Sequence, residues 1–212
     1  MTCASDTMTS SSLLGTGKSV ENDLEDVEKF QKDMLNLYKS GECSDITLIC
    51  EEQEFKVHKA ILRARCPSML RMVNLNLPNL TPDSLRYMLL YIYGGNARHQ
   101  KWSIEQAIEL ADAADRYNLD GLKRQAEKSV CSRMNIDNVL KVLEIIEENA
   151  MCEDSYTYLR SVAIKFIAEN IQQVMEQSGW EDLEKEHMTE IIKEMTRPES
   201  PQNKKPRLMP NH

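Results

Sequence analysis

A chain of 212 residues has room for one ordinary domain or two small ones, and its 41% hydrophobic content is that of a globular protein. With 34 acidic against 26 basic residues the formal net charge is −8, which excludes a whole-protein basic footprint for nucleic acid. No apolar run reaches the ~18 residues that a membrane-spanning helix requires.

Residues 1–21, "MTCASDTMTSSSLLGTGKSVE", are rich in Ser and Thr and poor in large apolar groups, and predict a disordered tail. From Asn22 the pattern turns helical. Leu24, Val27, Phe30, Met34 and Leu37 recur at three- and four-residue spacing, with Asn22 or Asp23 as the cap and Gly41 as the stop. "SDITLICEEQEFKVHKAIL" reads as a β-hairpin followed by a helix. Ile46, Leu48 and Cys50 alternate on one face, Phe55 and Val57 follow the turn, and Ala60, Ile61 and Leu62 begin the helical run. Pro67 ends that helix and opens the next, because its ring removes an N–H and presets φ.

In "RMVNLNLPNLTPDSL" a helix end runs almost directly into a short alternating strand, Leu75 and Leu77. A new helix follows at once, with Thr81 as N-cap, Pro82 at its first position and Gly94–Gly95 at its end. From Ser103 onward only helices are expected. Ser103 and Gln106 form a capping box, and "NLDG" breaks the first helix before "LKRQAEKSV". "NIDNVLKVLEIIEENA", "SYTYLRSVAIKFIAENIQQVMEQ" and "WEDLEKEHMTEIIKEM" complete the set. The tail "TRPESPQNKKPRLMPNH" holds four of the seven prolines and few core formers, and predicts disorder. The fold class is therefore α+β in the first half and all-α in the second.

Chemistry-bearing motifs are scarce. "GTGKS" at Gly15 to Ser19 imitates the end of a phosphate loop, but Ser12 stands where the full pattern needs glycine, and no βαβ unit surrounds it. The four histidines, His58, His99, His187 and His212, lie near no recognisable nucleophile motif, and His58 at a strand-to-helix junction reads as a structural imidazole. The six cysteines, Cys3, Cys43, Cys50, Cys66, Cys131 and Cys152, form no C-x-x-C pair and have no His at ligand spacing. Scattered single cysteines without a signal peptide predict a reducing, intracellular setting. The paired acids Glu147–Glu148 read as a solvated helix face. These observations predict no enzyme, no metal and no cofactor.

"CSDITLICEEQEFKVHKAILRARCP" resembles the hairpin and helix that open the BTB/POZ domain: an Asp before an apolar strand, then Phe-x-x-His-Lys, then an apolar helix ending near Pro. Here these are Asp45, Phe55, His58, Lys59 and Pro67. "LTPDSLRYMLLYIYGG" is similar to the later helix of that family, and "ADAADRYNLDGLKRQAEKSVCSRMNIDNV" to the junction between BTB and BACK regions. "VMEQSGWEDL" and the short basic motif near the C-terminus resemble the speckle-type POZ subfamily. The likeness implies a BTB/POZ domain over 22–130, a small sheet flanked by helices, followed by a BACK-like helical domain over 131–195 and a disordered basic tail over 196–212.

The resemblance also implies roles. In speckle-type POZ proteins three apolar residues on the helix before the Asp form a homodimer seam, and the matching positions are Phe30, Met34 and Leu37. The alternative is that this face packs on its own domain. Full burial of three such side chains contributes roughly 5–8 kcal/mol per protomer, against an association cost of about 4–15 kcal/mol. Proteins of this type recruit a cullin scaffold through the BTB domain and bring a substrate protein to it for ubiquitin transfer and proteasomal degradation. The subfamily's substrate reader, a MATH domain, has no counterpart in the 21 residues before the first helix, so the substrate is unspecified. In the family an acidic loop of about ten residues, carrying an apolar-x-Glu motif, inserts into the cullin; here Met72, Val73 and Asn74 occupy its place, shorter than ordinary connections. Loss of a hot spot worth ~2–4 kcal/mol weakens docking roughly thirty- to a thousandfold. Tyr117 in "ADRYNL" matches another part of the cullin-facing groove. Lys204, Lys205 and Arg207 in "KKPRL" resemble a minimal nuclear import signal, favouring the nucleus over the cytoplasm. The position of a subfamily aromatic self-association contact is taken by Glu169, which argues against chains built through that surface. Two readings stay open: a dimeric adaptor or adaptor partner for a cullin-RING ligase, and a non-ligase scaffold that pairs with itself or with full-length BTB proteins.

Overall fold

The computed structural model describes residues 16–71, 80–97, 101–149 and 156–197. The chain divides into two compact units, Met1–Ala97 and Arg98–His212. Among the described residues, no helix is long and apolar enough to cross a membrane.

The first unit opens with helix α1, Thr16–Ser40. The helix thus starts inside the stretch expected to be disordered and before the expected caps Asn22 and Asp23. Once the amphipathic run is formed, each further residue adds a hydrogen bond at low entropic cost, and no proline interrupts the run back to Thr16. Gly41, at φ +64, ends the helix with its N–H on the Leu37 carbonyl. Strands β1 (Ile46–Cys50) and β2 (Gln53–Val57) pair antiparallel, Leu48 opposite Phe55 and Ile46 opposite Val57. The expected alternation holds: Leu48, Cys50, Phe55 and Val57 are all buried on one face.

Helix α2, Lys59–Arg65, stops before Pro67, and a single 3-10 turn, Met69–Arg71, follows. The expected strand at Leu75 and Leu77 lies outside the described residues. The chain is described again from Leu80, whose carbonyl accepts a hydrogen bond from the buried Cys50 Sγ at 2.8 Å. Helix α3, Pro82–Gly94, has the predicted cap: Thr81 Oγ1 accepts from the Ser84 N–H at 3.3 Å. Its inner face, Leu85, Met88, Leu89 and Ile92, fills the core of this unit.

The second unit is helical: α4 (Ile104–Arg116), α5 (Asp120–Cys131), α6 (Val139–Asn149), α7 (Thr157–Glu169), α8 (Ile171–Val174) and α9 (Lys185–Met195). The Ser103–Gln106 capping box is complete. Asn118, at φ 58, makes the turn between α4 and α5. Asn135 and Asn138 each accept the other's backbone N–H, at 3.1 and 2.8 Å, and so launch α6.

Two expectations need correction here. The run from Ser155 to Gln177 is not one helix, because Asn170 ends α7 with its side-chain amide donating to the Phe166 carbonyl at 2.8 Å. The last helix starts at Lys185 and not at Trp180, whose neighbours form turns with Asp182 N–H on the Gly179 carbonyl. Thr196 and Arg197 remain ordered as the cap of α9, and the tail beyond them lies outside the described residues.

Candidate interaction surface

Helix α1 carries two adjacent apolar lines. One runs through Leu24, Val27, Gln31, Leu35 and Tyr38, the other through Phe30, Met34 and Leu37, each at three- and four-residue spacing. Only the C-terminal half of the first line docks within its own unit. The Tyr38 ring lies 5.0 Å from that of Tyr93 on α3, and Leu35 packs over Gly94. The approach is close, since a Cβ at Gly94 would sit 3.0–3.1 Å from the Leu35 side chain and force it to shift. At Gln31 the helix passes Gly95, which caps the end of α3 at φ +75. Residues 23–30 are all exposed. Leu24, Val27 and Phe30 expose 58%, 53% and 64% of their surface, while Met34 and Leu37 are half-buried. Of the predicted seam, Phe30 is thus uncovered among the described residues, and Leu24 and Val27 are exposed beside it.

The residues expected to be structural form one hydrogen-bonded frame. Asp45 Oδ1 accepts the Lys59 N–H at 2.7 Å and caps α2 from a distance. His58 is 8% exposed, and its ring and backbone N–H are all hydrogen-bonded. Its Nε2 lies 2.7 Å from the Glu42 carbonyl, which only accepts, so the proton sits on Nε2. Nδ1 then accepts from the Tyr93 hydroxyl at 2.8 Å, and that hydroxyl accepts the His58 backbone N–H at 2.9 Å. Burial pushes the Tyr93 hydroxyl above its ordinary pKa and that of Tyr38 up to about 12, so both keep their protons. Phe55 is buried, with the Arg86 guanidinium 5.8 Å from its ring centre. This frame fixes the hairpin, α2 and α3 together.

Of the positions expected to face a cullin, Met72, Val73 and Asn74 lie outside the described residues. Tyr117 closes α4 and is only 3% exposed. Lys204, Lys205 and Arg207 lie outside the described residues. Glu169 is exposed and faces Lys165 at 3.9 Å, as a solvated helix pair.

One cluster has no sequence signal. Arg160 on α7 donates to Glu147 on α6 at 2.6 Å and to Glu190 on α9 at 2.9 Å. The buried His187 meets the same Glu147 oxygen at 3.1 Å. Burial pushes the Glu147 carboxyl up, but the hydrogen bonds from Arg160 and His187 outweigh it and hold the carboxyl below its ordinary pKa. Glu147 is thus no mere member of a solvated face: it ties three helices together.

The BTB/POZ domain family pattern matches residues 34–134. The TD and POZ domain-containing protein 5 of Mus musculus is 28% identical over 165 residues, covering 73% of this chain and 47% of that protein. The chain therefore matches about half the length of this relative.

Proposed function

We propose that the protein, whose residues 34–134 match the BTB/POZ domain family, acts through protein–protein interaction as a dimeric adaptor, or a dimer partner of an adaptor, for a cullin-RING ubiquitin ligase. The BTB/POZ region is assigned to 22–130 and a BACK-like region to 131–195. The observation that carries the dimer is the apolar face of α1: residues 23–30 project past the end of α3, with Leu24, Val27 and Phe30 uncovered. A helical arm of this length has little stability alone, and a second copy of the same arm across a two-fold axis is the simplest cover. The substrate protein is one that a further region or the dimer partner selects, and the basic tail directs the protein to the nucleus.

A second reading is favoured by a specific observation. In the sequence, Met72, Val73 and Asn74 stand where the resembled family carries a cullin-inserting loop of about ten residues. In this reading the protein dimerises without docking a ligase, as a scaffold or as a diluting partner of full-length BTB proteins.

Light scattering on the whole chain with a titrated cullin N-terminal domain separates them. A complex of two chains with two cullin fragments at micromolar concentration supports the adaptor. A dimer that takes up no cullin at tens of micromolar supports the scaffold and overturns the direct adaptor. A monomer overturns both.

A further inference from the structure

An open groove of about 600 Å³ runs along α6 and is closed on the far side by the segment 177–184 and the start of α9. Ile136, Leu140 and Leu183 give it an apolar floor. Its rim carries Asp137, Glu144 and Glu148 on one side and Asp182 and Glu184 on the other. Glu147 is engaged by Arg160 and His187, whereas these five carboxylates make no ion pair among the described residues. Lys141 is the single lysine or arginine lining the groove.

We infer that this groove binds the chain's own C-terminal segment, "KKPRLMP" at 204–210, within the same molecule. Charge and polarity match in order. Lys204, Lys205 and Arg207 meet the acidic rim, and Leu208 and Met209 follow them onto the apolar floor. The reach also fits. The described chain ends at Arg197, just past the C-terminal end of α9, while the groove lies at its N-terminal end. The 11 residues of α9 span about 16 Å. From Arg197 to Lys204 an extended chain covers up to roughly 23 Å. A tether this short gives an effective concentration in the millimolar range, so a weak site is occupied. The docked segment withholds its basic residues from any receptor that reads a short basic signal, and a competing ligand in the groove releases them.

The test uses the whole chain and a fluorescein-labelled peptide of residues 201–212, read by anisotropy. Reversing the tail in the chain, with Lys204→Glu, Lys205→Glu and Arg207→Glu, should empty the groove and tighten peptide binding at least about tenfold relative to the native chain. Adding Glu144→Lys and Glu148→Lys should abolish that binding, and about 1 M salt, with a Debye length of ~3 Å, should weaken it severalfold. Circular dichroism checks folding. If the lysine variant is unfolded, Glu144→Gln with Glu148→Gln replaces it, with at least about threefold loss expected. Equal affinity for the native and tail-reversed chains shows a groove open to an outside basic partner and overturns the inference. Absence of binding to the tail-reversed chain up to millimolar peptide overturns it as well.

Discussion

Replacing Phe30 with alanine tests the α1 seam most directly. Phe30 is 64% exposed in the single chain. For a side chain of roughly 200 Å² that leaves about 130 Å² available to a partner. At about 25 cal/mol per Å² its burial contributes about 3 kcal/mol per protomer, of which alanine keeps about a third. A two-fold dimer loses the difference twice, about 4 kcal/mol, and its dissociation constant rises about a thousandfold. Sedimentation equilibrium across nanomolar to high-micromolar concentration reads this shift. The urea midpoint of the separated chain should barely move, because an exposed side chain contributes little to its own fold. An unchanged dissociation constant would refute the seam. A fall in monomer stability of ~2 kcal/mol or more would show that Phe30 is covered by its own domain.

The remaining predictions concern the frame and the helical half. Tyr93→Phe removes the hydroxyl that accepts the His58 N–H and donates to its ring, leaving buried polar groups without that partner, and should cost about 1–3 kcal/mol in urea denaturation. Gly94→Ala places a methyl 3.0–3.1 Å from Leu35 and should cost about 1–2 kcal/mol; combined with Leu35→Ala the two losses should fall short of their sum in a double-mutant cycle. The Glu147 carboxyl has a folded pKa below its unfolded value of about 4.3, so its stabilisation is complete above that pH and is lost as pH falls through the folded value. Denaturation midpoints followed from about pH 6 to about pH 3 should therefore fall less steeply for Glu147→Gln than for the native chain, and equal slopes would refute the assignment.

Local chemistry carried much of the fold in plain view. The alternation of Ile46, Leu48 and Cys50, the Thr81–Pro82 cap and the Ser103–Gln106 box each act within a few residues, and each appears where its pattern places it. Asp45, His58 and Lys59 were legible as a motif, but the bond from His58 to Tyr93 spans 35 positions and needs the folded chain. The Glu147–Arg160–Glu190–His187 cluster is hidden for the same reason, its members lying on three helices. Periodicity named the apolar positions of α1, yet could not say which turns meet α3 and which project past it. That depends on where α3 ends, at Gly94 and Gly95. Tyr117 shows the converse, since matching a motif said nothing of its burial.

The hydrogen bond from Cys50 to Leu80 has a consequence for how this chain can vary. On one side the chain leaves the frame at Arg71, on a turn anchored by the Met69 N–H on the Cys66 carbonyl. On the other it is moored to the hairpin by Leu80 and locked into α3 by the Thr81 cap one residue later. Both moorings are held by described residues, Cys66 on one side and Cys50 and Ser84 on the other. A longer acidic segment grafted between Val73 and Leu75 should cost only about 0.6 kcal/mol for each doubling of loop length, with no change to the hairpin or to α3. Circular dichroism and urea denaturation of such a graft should match those of the native chain to within that cost.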